Sequence, residues 1–256
     1  MPELIVRRDG AIGWIVFSNP AKDNAVNYQM IAALRETVGR VERDPQVKVV
    51  AFTGEGTQSF VSGADIAEFG VTRSASSVVT YNHAMEEAYK AVNSSRKPTL
   101  ACIRGPCFGV GLSLALYCDM RVCADDALFS HTAAKLGLGV SYPSVKRLVD
   151  VIGPARAADV LITGRKVGAA EALSLGLVNR VFPAAEVEAG FRELASDIAD
   201  NAPLSIHASK ISIRGTLGEA DLHEVRMASE ACHGSDDYAE GRKAFIEKRK
   251  PNFRGR

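Results

Sequence analysis

A chain of 256 residues with 46% hydrophobic content is long enough to bury a large core, as one big domain or one domain with an appendage, and this composition excludes a globally disordered chain. With 31 basic and 30 acidic residues the formal net charge is +1, so bulk charge gives no case for nucleic acid as a partner, although a local cationic patch for phosphates stays open. No segment approaches the roughly 20 apolar residues of a membrane span, and the opening MPELIVRRDG has no signal-peptide apolar region, so a cytoplasmic protein with no membrane partner is expected. The cysteines Cys102, Cys107, Cys118, Cys123 and Cys232 are odd in number, mostly in apolar surroundings and never spaced C-x-x-C; buried free thiols are expected, and neither zinc nor disulfides are implied.

Leu4 to Arg8 and Ile12 to Phe17 read as a β-hairpin across Asp9-Gly10. Asn19-Pro20 breaks the second strand. After the polar loop Ala21 to Asn24, Met30, Ile31, Leu34, Val38 and Val41 recur at helical spacing and predict a helix over Tyr28 to Arg43, ended by Asp44-Pro45. Val47 to Phe52 is a continuous apolar strand. Phe60 to Asp65 runs from a short strand into another helix start, and a longer helix covers Val78 to Asn93.

Pro98 to Ile103 is a buried strand that leads into Gly105 to Asp119, read as a glycine-bearing turn and a helix starting near Gly109 to Gly111. A helix start leaves backbone N–H groups without intrahelical partners and carries partial positive charge, so it can hold an oxyanion. Gly109 and Gly111 either clear the way for a ligand's close approach to those amides or let the helix pack tightly on a sheet. A dinucleotide loop fits poorly, because Leu114 stands where G-x-G-x-x-G needs its last glycine.

Strands at Met120 to Ala124 and Ala127 to Phe129 follow, and the order suggests stacked ββα units in an α/β fold. From about Pro143 the chain reads as helices: Ser144 to Ile152, Ala155 to Ile162, Ala169 to Leu175, Ala185 to Asp200, Leu204 to Leu217, Leu222 to His233 and Asp237 to Lys248. Only Leu177 to Val181 among them reads as a strand. The tail Lys243 to Lys250 is amphipathic and basic, which on charge alone describes a solvated helix end.

Six stretches in order carry a resemblance. They are Asn19-Pro-Ala-Lys-Asp-Asn-Ala25, Phe60-Val-Ser-Gly-Ala-Asp-Ile66, the glycine element ending at Cys118-Asp119, Leu136-Gly-Leu138, Ala170-Glu-Ala-Leu-Ser-Leu-Gly-Leu-Val178 and Glu240-Gly-Arg-Lys-Ala-Phe-Ile-Glu-Lys-Arg-Lys250. Over essentially its whole length the chain resembles the crotonase, or enoyl-CoA hydratase/isomerase, superfamily. The resemblance implies a crotonase-like spiral of ββα units over residues 1–195 and a C-terminal helical trimerisation region over 196–256. It also implies a homotrimer or dimer of trimers acting on an acyl-CoA thioester. Coenzyme A is then part of the substrate, and no separate cofactor, metal, nicotinamide or flavin is expected.

In the family two backbone amides hold the thioester oxygen as it becomes an enolate; the matching residues are Ala64 and Val110, and neither is proline. Lys22, Asp65 and Ile66 match the coenzyme A channel, while Phe245 and Lys248 match positions that reach a neighbouring subunit's coenzyme A. A hydratase of this family uses two glutamates, and alignment puts Ser113 and Ala133 at their positions. Serine without a base beside it is no general base near neutral pH, and alanine supplies none. Glu86, Tyr142 and His131 are candidate replacements. Each also has an ordinary reading, as a helix-surface charge, a packed phenol and a structural histidine. Ser113 as a thioesterase nucleophile lacks an evident histidine or acid partner. Three functions stay open: an enoyl-CoA hydratase/isomerase with substituted acid–base groups, a decarboxylase or thioester hydrolase working through the same oxyanion, and a non-catalytic acyl-CoA-binding protein.

Overall fold

The computed structural model describes residues 2–65 and 75–256, with side chains described again from Thr80. The opening hairpin forms as the alternation predicts: β1 (Glu3–Asp9) pairs antiparallel with β2 (Ile12–Ser18), from Glu3 opposite Ser18 to Asp9 opposite Ile12. Helix α1 (Tyr28–Arg43) has the expected bounds. Asn27 caps it by accepting the Met30 N–H at 2.9 Å, and Met30, Ile31, Leu34, Val38 and Val41 are its buried stripe.

Then come β3 (Val49–Gly54), α2 (Ala75–Ser94), β4 (Thr99–Ile103), β5 (Pro106–Phe108), α3 (Val110–Tyr117), β6 (Met120–Ala124) and β7 (Leu128–Ser130). After a 3-10 turn at Thr132–Leu136 follow α4 (Tyr142–Ile152), α5 (Pro154–Thr163), β8 (Val167–Gly168), α6 (Ala169–Leu175) and β9 (Arg180–Phe182). The last described elements are α7 (Val187–Ala199), α8 (Pro203–Thr216), α9 (Leu222–His233) and α10 (Asp236–Glu247).

From β4 to β7 successive strands alternate between two sheets, and this alternation is the spiral. One sheet runs β1-β2-β3-β4-β6-β9, parallel from β2 onward, and the other runs β5-β7-β8. The chain places β4 in the first sheet and β5 in the second, then β6 in the first and β7 in the second, while Val61 bridges Cys107 as a single parallel pair at the second sheet's edge. The α/β spiral of ββα units suggested by the sequence is the observed architecture.

The main core lies between the sheets and the helices: Phe52, Phe60, Phe129, Leu112 and Leu148 are almost wholly buried, each large side chain contributing about 2–3 kcal/mol of apolar burial. A second cluster, Trp14, Val49, Leu100, Val122, Phe191 and Leu194, packs α7 on the other face of the first sheet. Cys102, Cys107, Cys118 and Cys123 are buried free thiols, as expected, and Cys232 is free and half-buried. Burial pushes the thiols of Cys102, Cys118 and Cys123 up to about 12, so they stay protonated and act as small apolar side chains.

Several expectations change. The turn before α3 contains a three-residue strand, β5, and β8 was not anticipated at all. The strand expected over Leu177 to Val181 begins only at Arg180, because the N–H groups of Leu177 and Val178 both reach back to the Ala172 carbonyl, at 2.8 and 3.3 Å, and close the end of α6. Helix α7 runs across residues 195 and 196, where the sequence expects the core to give way to the helical region. The helix start expected after Asp65 lies outside the described residues. Among the described residues no helix is long and apolar enough to cross a membrane.

Two buried cations tie later helices and strands together. The Arg121 guanidinium donates to the carbonyls of Leu177 at 2.7 Å and Cys118 at 2.9 Å, satisfying the end of α3 with a positive charge at its negative pole. Lys210 of α8, 6% exposed, donates to the Asp119 carboxylate at 2.8 Å and the Lys97 carbonyl at 3.1 Å. Asp119 in turn accepts the Thr99 N–H at 2.7 Å and its hydroxyl at 2.9 Å, so one carboxylate joins β4, the end of α3 and α8.

Candidate active site

The parallel pairing dictates the layout of the candidate site. Val61 stands beside Cys107, and Phe108 N–H donates to Val61 O at 2.9 Å. Two chain segments therefore leave the bridge side by side and in step. Three residues further along each, that register reaches Ala64 on one segment and Val110 on the other. No acceptor among the described residues takes either N–H. Val110 opens α3, so its N–H has no intrahelical partner by construction. Ala64 is a single bridge position with Val26, and its neighbours carry that bridge: Val26 N–H donates to Gly63 O at 2.9 Å and Asp65 N–H to Val26 O at 2.8 Å.

The two glycines of the turn have different jobs. Gly109 has φ +51°, and a Cβ there would meet nothing within 4 Å, so the space in front of it is open and its backbone form is the reason for glycine. Gly111 is a packing glycine: an added Cβ would lie 2.5 Å from Val61 O and 2.7 Å from Val61 Cβ. Of the two roles the sequence leaves open for it, packing is the one found: it lets α3 close onto the segment bearing Ala64. Gly111→Ala should cost at least about 2 kcal/mol, read as a lower midpoint in urea unfolding, because the clash is with backbone that cannot swing away; an unchanged midpoint would show that the two segments separate freely.

The loop before the Ala64 segment is locked by Asn24, whose amide donates to Ser59 O at 2.9 Å and Glu55 O at 3.0 Å while its oxygen accepts the Asn19 N–H at 3.1 Å. This holds Lys22 against Asp65, Nζ to carboxylate 2.6 Å, with Asp65 buried and the lysine half exposed. Ile66 lies outside the described residues. Phe245 and Lys248 are at the far end of α10, and Phe245 is 86% exposed.

Ser113, one turn into α3, is buried and faces the hydroxyl of Tyr89, which also faces Ser144. The Tyr89 ring stacks on Tyr117 at 4.7 Å between centroids. Burial first of all pushes the Tyr89 phenol well above its ordinary value, with the two serine hydroxyls pulling weakly the other way, so it stays a proton donor. The sequence reading missed Tyr89 and Ser144; the one available signal was that Tyr89 lies a helical turn beyond Glu86. Glu86 itself lines a cavity of about 470 Å3 with Tyr89, Asn93, Tyr117, Arg214 and Glu219, while its neighbour Glu87 is the helix-surface charge, paired with Arg35 and Lys90. Tyr142 is 77% exposed at the first position of α4, so it is not a packed phenol. Ala133 is buried in the 3-10 turn after β7. His131, which caps that turn without a side-chain bond, has its Nδ1 buried with no partner among the described residues, and burial lowers its pKa.

The sequence model of the enoyl-CoA hydratase/isomerase family matches residues 7–256. The chain belongs to that family. It is 30% identical over 255 residues to a crotonyl-CoA hydratase from Syntrophomonas wolfei, covering 98% of this chain and 97% of that one. It is 34% identical to a carnitinyl-CoA dehydratase from Escherichia coli, over 99% and 98% of the two chains. Its fold superposes with TM-score 0.95 on an enoyl-CoA hydratase/carnithine racemase from Magnetospirillum magneticum, at 34% identity and covering 100% and 97%. This enoyl-CoA hydratase/isomerase family member therefore has the crotonase fold, as its motifs suggested.

Proposed function

We propose that the protein binds an acyl-CoA thioester and stabilises its enolate through the backbone N–H groups of Ala64 and Val110. The observation that carries this is the shared register of the two segments beyond the Val61–Cys107 bridge, with neither amide given an acceptor among the described residues. Donors fixed before reaction, in a site partly shielded from water, act where negative charge develops and need no reorganisation as it does. Lys22, held by Asp65, supplies a half-exposed cation for coenzyme A at the mouth of the Ala64 segment, and Ile66 completes that side in this reading. Coenzyme A belongs to the substrate, and no further cofactor is invoked.

A homotrimer or dimer of trimers is supported by apolar side chains left open on the last helices: Phe245 at 86%, Ile246 at 78% and Leu222 at 70% exposure. In that assembly Phe245 and Lys248 reach a neighbour's coenzyme A, and the helices from residue 196 onward form the contact region. The reaction is hydration or isomerisation of an enoyl thioester, in line with the family. A second reading, decarboxylation or thioester hydrolysis, is favoured by one observation: the buried Tyr89–Ser113–Ser144 hydroxyls replace a carboxylate with proton donors beside α3.

Loss of enoyl absorbance from crotonyl-CoA tests the first reading, with calorimetric binding of butyryl-CoA beside it. Turnover with binding supports hydration. Binding and carbon dioxide release from malonyl-CoA without hydration would replace it with the second reading, and absence of binding would sink both.

A further inference from the structure

A cavity of about 360 Å3 opens where β3 and β4 begin: Lys48 precedes β3, Lys97 precedes β4, and both line it together with Arg96 and Arg254. These four cations share the cavity with one carboxylate among the described lining residues, that of Glu42, which already accepts the Arg96 backbone N–H. Among the described residues none of the four forms an ion pair. The cavity beside α7 is the contrast: there Arg7 meets Glu55, and Arg104 and Arg192 both meet Glu188. Here the two ammonium groups rest on backbone carbonyls, Lys48 on Ala199 at 3.0 Å and Lys97 on Asp44 at 2.6 Å, and each keeps donors to spare. Burial is the first cause that pulls the Lys97 pKa down, so its positive charge lacks full compensation. Arg254 is brought to the cavity by Asp237, 3% exposed, whose carboxylate accepts the N–H groups of Arg254 at 2.6 Å and Gly255 at 2.7 Å. Pro203 and Ile206 at the start of α8 form another wall, adding the positive end of that helix.

We propose that this cavity is a second ligand site, separate from the Ala64 and Val110 amides, that takes a small anion bearing phosphate or pyrophosphate. Four cations against one occupied carboxylate call for more than one negative charge, which a phosphate supplies with three strong acceptor oxygens. Guanidinium groups match those oxygens two at a time, and the lysines act as point charges beside them. The volume lies near the lower end of the roughly 300–1,000 Å3 of small-molecule sites, and Val47, Ile198 and Ile206 offer apolar wall to a short organic body. The acyl-CoA reading does not account for this cavity. Lys22 and Ala64 belong to segments beyond the opposite ends of β2 and β3, where Asn24 fastens the loop to Glu55 O and Ser59 O, and β3 alone spans about 20 Å. An anion here joins the starts of β3, β4 and α8 to the segment after α10, so its binding also stabilises the folded chain by mass action.

The test is calorimetric titration of the whole protein with inorganic pyrophosphate at low salt, comparing wild type, the double variant Arg96→Gln with Arg254→Gln, the double variant with lysine at both positions, and Lys22→Gln. Wild type should bind one pyrophosphate per chain and melt at a higher temperature in its presence. The glutamine variant should lose about tenfold or more in pyrophosphate affinity, the lysine variant should recover part of it, and Lys22→Gln should stay within about threefold of wild type. Butyryl-CoA affinity of the glutamine variant should also stay within about threefold. Absence of binding by the wild type overturns the proposal, as does undiminished binding by a folded glutamine variant. Loss of binding in Lys22→Gln overturns it by placing the anion in the coenzyme A channel. Sedimentation run alongside gives the last outcome: a glutamine variant that changes its assembly state shows that the cations meet a second copy of the chain, which overturns the small-anion site as well.

Discussion

Val110→Pro is expected to lower turnover of an acyl-CoA substrate by about 100- to 1,000-fold while leaving the protein folded. Position 110 is the first residue of α3, where the backbone N–H has no helical acceptor to lose. Proline is tolerated there, since its fixed φ suits a helix start and the preceding residue is a glycine. The substitution removes one of the two donors and puts a ring carbon where the hydrogen was. Removing one such donor costs roughly 3 kcal/mol of barrier, and 1.4 kcal/mol is a factor of ten. Thermal unfolding monitored beside the kinetics separates the outcomes: a folded, inactive variant supports the amide's role, whereas a folded variant with wild-type turnover would remove Val110 from the mechanism.

The largest stability effect is expected at Lys210. Its Nζ is buried and serves the Asp119 carboxylate and the Lys97 carbonyl. Lys210→Met keeps the length and apolar stem and deletes the charge, leaving Asp119 with only its Thr99 donors. Breaking a buried pair by removing one partner costs about 3–5 kcal/mol; Asp119 is still 29% exposed, so about 3 kcal/mol is expected. In a chain of this size that lowers the melting temperature by roughly 6–12 °C. Asp119→Asn in the same background should return part of the loss, because the unpaired charge is then gone; if both variants melt with the wild type, the pair contributes nothing.

Long periodic segments were legible in the sequence. Helices Tyr28–Arg43, Ala169–Leu175 and Leu222–His233 and strand Met120–Ala124 fall at the expected bounds, because stop signals such as Asp44-Pro45 and Gly176 flank clear apolar patterns. Strands β5 and β8, of three and two residues, are too short for a period and exist only through their neighbours. The Ala64 and Val110 segments could be named from motifs, but their being in step depends on the Val61–Cys107 bridge, which no local pattern encodes. Likewise Tyr89 looks like any residue of an amphipathic helix until α3 brings Ser113 to it. Gly111 shows the limit most plainly: its neighbour Val61 is distant in the chain, so a close approach and a ligand opening read alike from sequence.

The single bridge between Val61 and Cys107 also bears on how the site comes into being as the chain folds. Each segment supplies one donor, and half a pair has no use by itself. No excised unit of the spiral would carry the site, and a nascent chain lacks it until both segments have met. Ligand affinity during refolding thus reports closure between remote parts of the chain, a slow and entropically costly event, rather than the rapid winding of helices.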